Sequence, residues 1–152
     1  MNGIERQAIE DKDRGDVMSE MERRAIEDRV VLRISKFYRT GNTIANVQRD
    51  TTLHPVERLI WGIILRAYFD AVTCFFARKE IARRTLPQAN LNELRRYFRG
   101  DEYVWAANAV SLNLTGEQML KEAEQRANEL EEKCLREIEK EIEKEIEKGE
   151  RK

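Results

Sequence analysis

Apolar positions along this chain return at three- and four-residue steps and almost never alternate. That is the period of helices rather than strands. His54-Pro55 opens the clearest element, with proline at a first-turn position. From Val56 to about Arg78, the residues Leu59, Ile60, Ile63, Ile64, Ala67, Tyr68, Ala71, Val72 and Phe75 form a wide stripe. The stripe predicts a buried central helix. Upstream, Val30, Val31, Ile34 and Phe37/Tyr38 share one face of a helix that Gly41-Asn42 stops, and Thr40 to Leu53 is expected to be loop. Downstream, Leu86-Pro87-Gln88 is a break, Asn90 is placed to cap a helix over Leu91 to Phe98, and Gly100 ends it. A further helix is expected from Asp101 to Val110, followed by the turn Ser111-Leu112-Asn113-Leu114.

Thr115-Gly-Glu-Gln118 is a capping box that starts the last helix. From Glu117 to about Lys148, Leu120, Ala123, Ala127, Leu130, Cys134, Ile138, Ile142 and Ile146 make one narrow stripe. Its first steps suit a coiled-coil seam, and its later four-residue steps drift off the heptad. The Glu-Ile-Glu-Lys run supports itself through helical charge pairs. The expected architecture is all-α: a small helical bundle with a long charged C-terminal helix. Residues 1–28 form a charged helical arm, 29–120 the core, and 121–152 either a lone solvated helix or an oligomerisation seam.

Composition sharpens this picture. Charged residues are 38% of the 152-residue chain and mean hydropathy is -0.71, so much of the helix must be solvated. The net charge of -1 hides segregation: 5 bases against 9 acids in residues 1–28, 14 against 5 in 29–100, and 9 against 15 in 101–152. A basic middle between acidic arms suits a surface that faces nucleic acid, or arms that fold back and neutralise it. The arm also echoes itself: Glu5 to Asp11 and Glu22 to Asp28 match at six of seven positions, 17 residues apart, with Gly15-Asp16 between them. Chance likeness of two charged helices and a duplicated partner-binding helix are both consistent with that.

Candidate chemistry is sparse. One histidine, His54, sits at a helix start, where it reads as a cap rather than a catalyst. No Cys/His cluster has metal spacing, and no glycine-rich loop precedes a Lys-Ser or Lys-Thr. No catalysis, cofactor or metal is expected. Two cysteines make no disulfide framework. No secretory signal or membrane span is expected, since Arg66 and Asp70 interrupt the most apolar stretch. A cytoplasmic setting follows as the expectation.

Residues 103–120 read as helix, short turn and capped helix, a corner that resembles a helix-turn-helix. The would-be recognition face carries Glu117, Gln118, Lys121, Glu122 and Glu124, which phosphates repel. Glu57-Arg-Leu-Ile-Trp61 through Ala67 and Asp70, Leu94-Arg-Arg-Tyr-Phe98 and Asp101-Glu-Tyr-Val-Trp-Ala-Ala107 together resemble small uncharacterised helical proteins of phages and prophages. The similarity spans roughly residues 56–120. It implies a mobile-element origin and, if viral, a host cytoplasm.

Arg78, Lys79, Arg83, Arg84, Arg95, Arg96 and Arg99 are the nucleic-acid candidates. Two arginine pairs flank one loop, with Tyr97 and Phe98 beside them, and arginine clusters suit phosphate. The leading expectation is a non-enzymatic accessory protein binding nucleic acid through this patch. The other is a module that docks on a host or viral protein complex through its charged arms and modulates it.

Overall fold

A computed structural model of the chain describes residues 18–39 and 49–150. Among them are six helices and no strand: α1 (Glu20–Arg39), α2 (Pro55–Ala77), α3 (Glu80–Arg83), α4 (Leu91–Arg99), α5 (Asp101–Ala109) and α6 (Gly116–Glu150). The fold is an all-α bundle. The first copy of the echoed motif and most of the Thr40 to Leu53 stretch lie outside the described residues.

The helix ends follow from side-chain caps. His54 Nδ1 accepts from the Val56 N–H at 3.1 Å, which makes the lone histidine a helix cap. Asn90 Oδ1 accepts from the Asn92 N–H at 3.0 Å. Thr115 and Gln118 close a full capping box: Thr115 Oγ1 accepts from the Gln118 N–H, and Gln118 Oε1 accepts from the Thr115 N–H. At the break after α3, Gln88 Nε2 donates to the Ala77 carbonyl at 2.7 Å and satisfies the end of α2. The α5–α6 turn uses Ser111 at φ 57°. There the Ser111 N–H donates to the Asn108 carbonyl, and the Leu112 N–H to the Ala107 carbonyl. This is a Schellman ending with serine where glycine is usual.

The core is one contiguous cluster running from Ile26 to Ile138. It ignores the boundaries at 28 and 120: α1 crosses the first unbroken, and α6 carries the core past the second. Helix α6 is not solitary: its apolar stripe is buried against the bundle as far as Ile138. Its Leu130, Cys134 and Ile138 are buried in the same cluster as Ile26, Val30, Val31 and Ile34 of α1. Arg29 and Arg33 of α1 reach Glu141 and Glu137 of α6 at 3.4 and 3.5 Å. The antiparallel register these pairs define seats α1 on the stripe. The period of a stripe cannot say which helices cover it, and here α2 and α1 of the same chain do. Burial pushes the Cys134 thiol up to about 11, consistent with a small core hydrophobe.

The charge segregation resolves the same way in part. Arg84 donates to Asp28 Oδ1 at 2.6 Å and lies 3.6 Å from Glu27, and Thr85 Oγ1 donates to the same Asp28 oxygen at 2.8 Å. Arg99 pairs with Glu117. Each of these links joins the basic middle to an acidic flank. The second copy of the echo is thus structural, since Ile26 enters the core while Glu27 and Asp28 hold Arg84.

The Asp28 clasp carries a pH signature. Hydrogen bonding from Arg84 holds the Asp28 carboxyl below its ordinary value. A carboxyl depressed by folding adds stability above its unfolded pKa, and that contribution fades as pH falls through the folded value. The side chain is 40% exposed, so solvent screens much of the effect. Asp28→Asn is expected to cost about 0.5–1 kcal/mol, uniformly from about pH 5 to about pH 8. The gap to wild type should close below about pH 4. Urea unfolding at stepped pH measures this, and a gap that varies across neutral pH would point to another titrating group.

Candidate functional site

The predicted stripe on α2 is wider than the face the fold covers. Ile60, Ile64, Ala71, Val72, Cys74, Phe76 and Ala77 are buried, but Val56, Leu59 and Ile63 remain 55, 66 and 51% exposed. The spacing of three and four residues puts these three side chains on one outward line of the helix. By length and composition α2 is apolar enough to cross a membrane. Its surplus over what the core needs is this exposed line. The expectation of a wholly buried stripe is therefore corrected for the first two turns, because the helices packed on α2 leave this line uncovered.

Helix α5 supplies the facing wall. Asp101 follows directly on Gly100, which ends α4 and begins α5. Tyr103 points inward from α5, 1% exposed, and its O–H donates to the Leu114 carbonyl at 2.7 Å. Two residues on, Trp105 is 66% exposed. Fixing Tyr103 inward fixes Trp105 outward, since residues two apart face different sides of a helix.

Between α2 and α5 lies a groove of about 420 Å³ lined by Ile60, Ile63, Tyr97, Asp101, Glu102, Trp105 and Ala106. Its walls are almost entirely apolar, with Asp101 and Glu102 on the lip. A second hollow of about 440 Å³ adjoins it, lined by Glu93, Arg96, Tyr97, Gly100, Asp101 and Glu102. Both hollows are lined by Tyr97, Asp101 and Glu102, so an apolar hollow and a charged one lie side by side. The Tyr97 hydroxyl is buried and has no hydrogen-bond partner among the described residues. Burial, with Glu102 nearby, raises its pKa. Tyr97 is held edge-on to Phe98 and Tyr103, with ring centroids 5.2 and 6.1 Å away.

No protein-family model, no curated protein and no solved structure matches this chain.

The basic set is distributed unevenly between partners. Arg84 is claimed by Asp28 and Glu27, and Arg99 by Glu117. Lys79 donates to Asn128 Oδ1, and Arg83 to the Arg78 carbonyl. Among the described residues, Arg78, Lys79, Arg83, Arg95 and Arg96 have no carboxylate within ion-pair distance. Arg96 lines the charged hollow, as do three carboxylates. Two of the seven guanidinium or ammonium groups are thus already neutralised by the protein itself.

The helix-turn-helix-like corner is a packing device in its interior. Ala106, Ala107 and Val110 of the α5 side are buried with Met119 and Leu120 of α6, and Leu112 packs on them. The first turn of α6 offers Glu117, which is held by Arg99. Among the described residues, no group of three His, Cys, Asp or Glu side chains is placed to hold a metal ion.

The groove could not be read from the sequence. Leu59 and Ile63 have the spacing of core residues, and Trp105 the company of core alanines. Only their lack of covering neighbours distinguishes them, and that is a tertiary property.

Proposed function

We propose that this protein is a non-enzymatic protein-binding module whose α2–α5 groove receives an amphipathic helix of a partner. One observation carries the reading: Ile63 and Trp105 stand at least half exposed across a single apolar groove, with Leu59 exposed on the same line of α2. Exposed apolar side chains gathered along one groove suit an interaction site. Tryptophan is enriched among the residues that dominate binding energy, and a helix laid in an apolar groove is a recurring recognition mode. The resemblance of residues 56–120 to small phage proteins fits a module that modulates a host or viral complex.

Selection of a displayed library of randomised helical peptides on the wild-type chain, with counter-selection on Trp105→Asp, tests the reading. Enriched peptides should lose about 2 kcal/mol or more on the variant, roughly thirtyfold in Kd. Thermal unfolding of Trp105→Asp should stay near wild type, because the side chain is exposed. Failure to enrich any peptide that distinguishes the two chains overturns the proposal.

Nucleic-acid binding through the basic set is the competing reading. It rests on Arg78, Lys79, Arg83, Arg95 and Arg96, which lack carboxylate partners among the described residues. The partial neutralisation of the set weighs against it. A duplex DNA titration decides between them: tight binding that falls steeply with added salt would favour nucleic acid.

A further inference from the structure

We infer that the helix taken by the groove is cationic: it seats an apolar side chain against Ile63 and Trp105 and, within one turn, sets a Lys or Arg against Asp101 and Glu102. The inference rests on the groove reading and adds the chemistry of the occupant.

The apolar hollow and the charged one are both lined by Tyr97, Asp101 and Glu102. Because both border the same three residues, a partner helix seated in the apolar hollow brings its adjacent turn, about 5 Å of rise away, next to the charged one. The charged hollow holds three carboxylates, Glu93, Asp101 and Glu102, against one guanidinium, Arg96. An occupant that brings a cation removes this imbalance, and one that brings an anion worsens it.

The carboxylates on the lip differ from others in the molecule. Glu117 is also a first-turn acid, and Arg99 claims it. Asp28 is claimed by Arg84. Glu93, Asp101 and Glu102 form no ion pair among the described residues. Placement of Asp101 and Glu102 in the first turn of α5 satisfies its dipole, but it leaves their outward oxygens open beside an apolar slot. The slot adds the exposed Trp105 indole, beside which a cationic side chain gains further attraction. A lipid surface is the weaker occupant, because the acidic lip repels anionic headgroups.

Three fluorescein-labelled helical peptides test this. They share one Leu/Trp stripe and differ only in carrying Lys, Gln or Glu one turn from the anchor. Anisotropy titrations use the full chain. At low salt the Lys peptide should bind about tenfold tighter than the Gln peptide, the scale of one or two ion pairs, with the Glu peptide weakest. The Lys preference should shrink with added salt and collapse in the Asp101→Asn/Glu102→Gln double variant. The salt dependence on wild type stands even if that variant folds poorly. Equal binding of the three peptides overturns the cationic occupant while leaving the groove reading intact. Binding undiminished by Trp105→Asp overturns the groove itself, and with it this inference. Absence of binding by all three, or preferential co-sedimentation of the chain with phosphatidylcholine/phosphatidylglycerol vesicles, also overturns it.

Discussion

Gly116→Ala is expected to destabilise the protein by about 3 kcal/mol, the top of the range for overpacking a closed interface. A Cβ at this position would lie 1.6 Å from the Phe98 carbonyl oxygen and 2.5 Å from its carbonyl carbon. Both atoms are backbone, so no rotamer change relieves the clash. The first turn of α6 and the end of α4 must separate by about 1.5 Å or more before ordinary contact returns. That movement disturbs the Thr115–Gln118 capping box and the Arg99–Glu117 pair, which are built on the same two chain ends. The midpoint of thermal unfolding should fall by roughly 6–12 °C for a chain of this size. Gly62→Ala is the matched control, since no atom lies within 4 Å of its added methyl. It should stabilise by about 0.5–1 kcal/mol through helix propensity and a less flexible unfolded chain. Urea unfolding followed by far-ultraviolet circular dichroism measures both. Two variants of the same sign would refute the close approach of α4 and α6.

Gly116 also marks where the sequence stops being legible. The capping box around it is a local pattern, readable from Thr115 and Gln118 alone, and the helix starts where that pattern places it. The need for glycine inside the box comes from Phe98, well upstream in the chain and readable only once the helices are packed. The same division holds elsewhere. Asn90, His54-Pro55 and Gly100 announce helix ends through their own side chains or lack of them. The stripe of α6 announces that something covers it, but not that α2 and α1 do. The four-residue α3 has too few positions to show a period. For the site, local chemistry makes the arginines visible, while their pairing with Glu27, Asp28 and Glu117 depends on distant segments. The apolar groove has no local signal at all, because Leu59, Ile63 and Trp105 are spelled like core.

The second large effect is expected at Phe98. Phe98→Ala should cost about 3–5 kcal/mol, through lost burial and the cavity left behind. The ring is 1% exposed and packs edge-on to Tyr97 and Tyr103, with centroids 5.2 and 5.3 Å away. Phe98 sits where α4 meets α5 and α6, so the neighbouring helices cannot collapse into its space without giving up their caps. Phe98→Leu, which keeps most of the volume, should cost about 1.5 kcal/mol or less if the site repacks. Trp105 is the informative contrast. It is a larger aromatic two turns further along the chain, yet 66% exposed, and Trp105→Ala should change stability by no more than about 0.5 kcal/mol. Denaturant midpoints for the three variants separate the aromatic residues that hold the bundle together from those left over for a partner. A Trp105→Ala cost approaching that of Phe98→Ala would mean that the indole is packed in solution, and the groove would then be part of the core rather than a place for another helix.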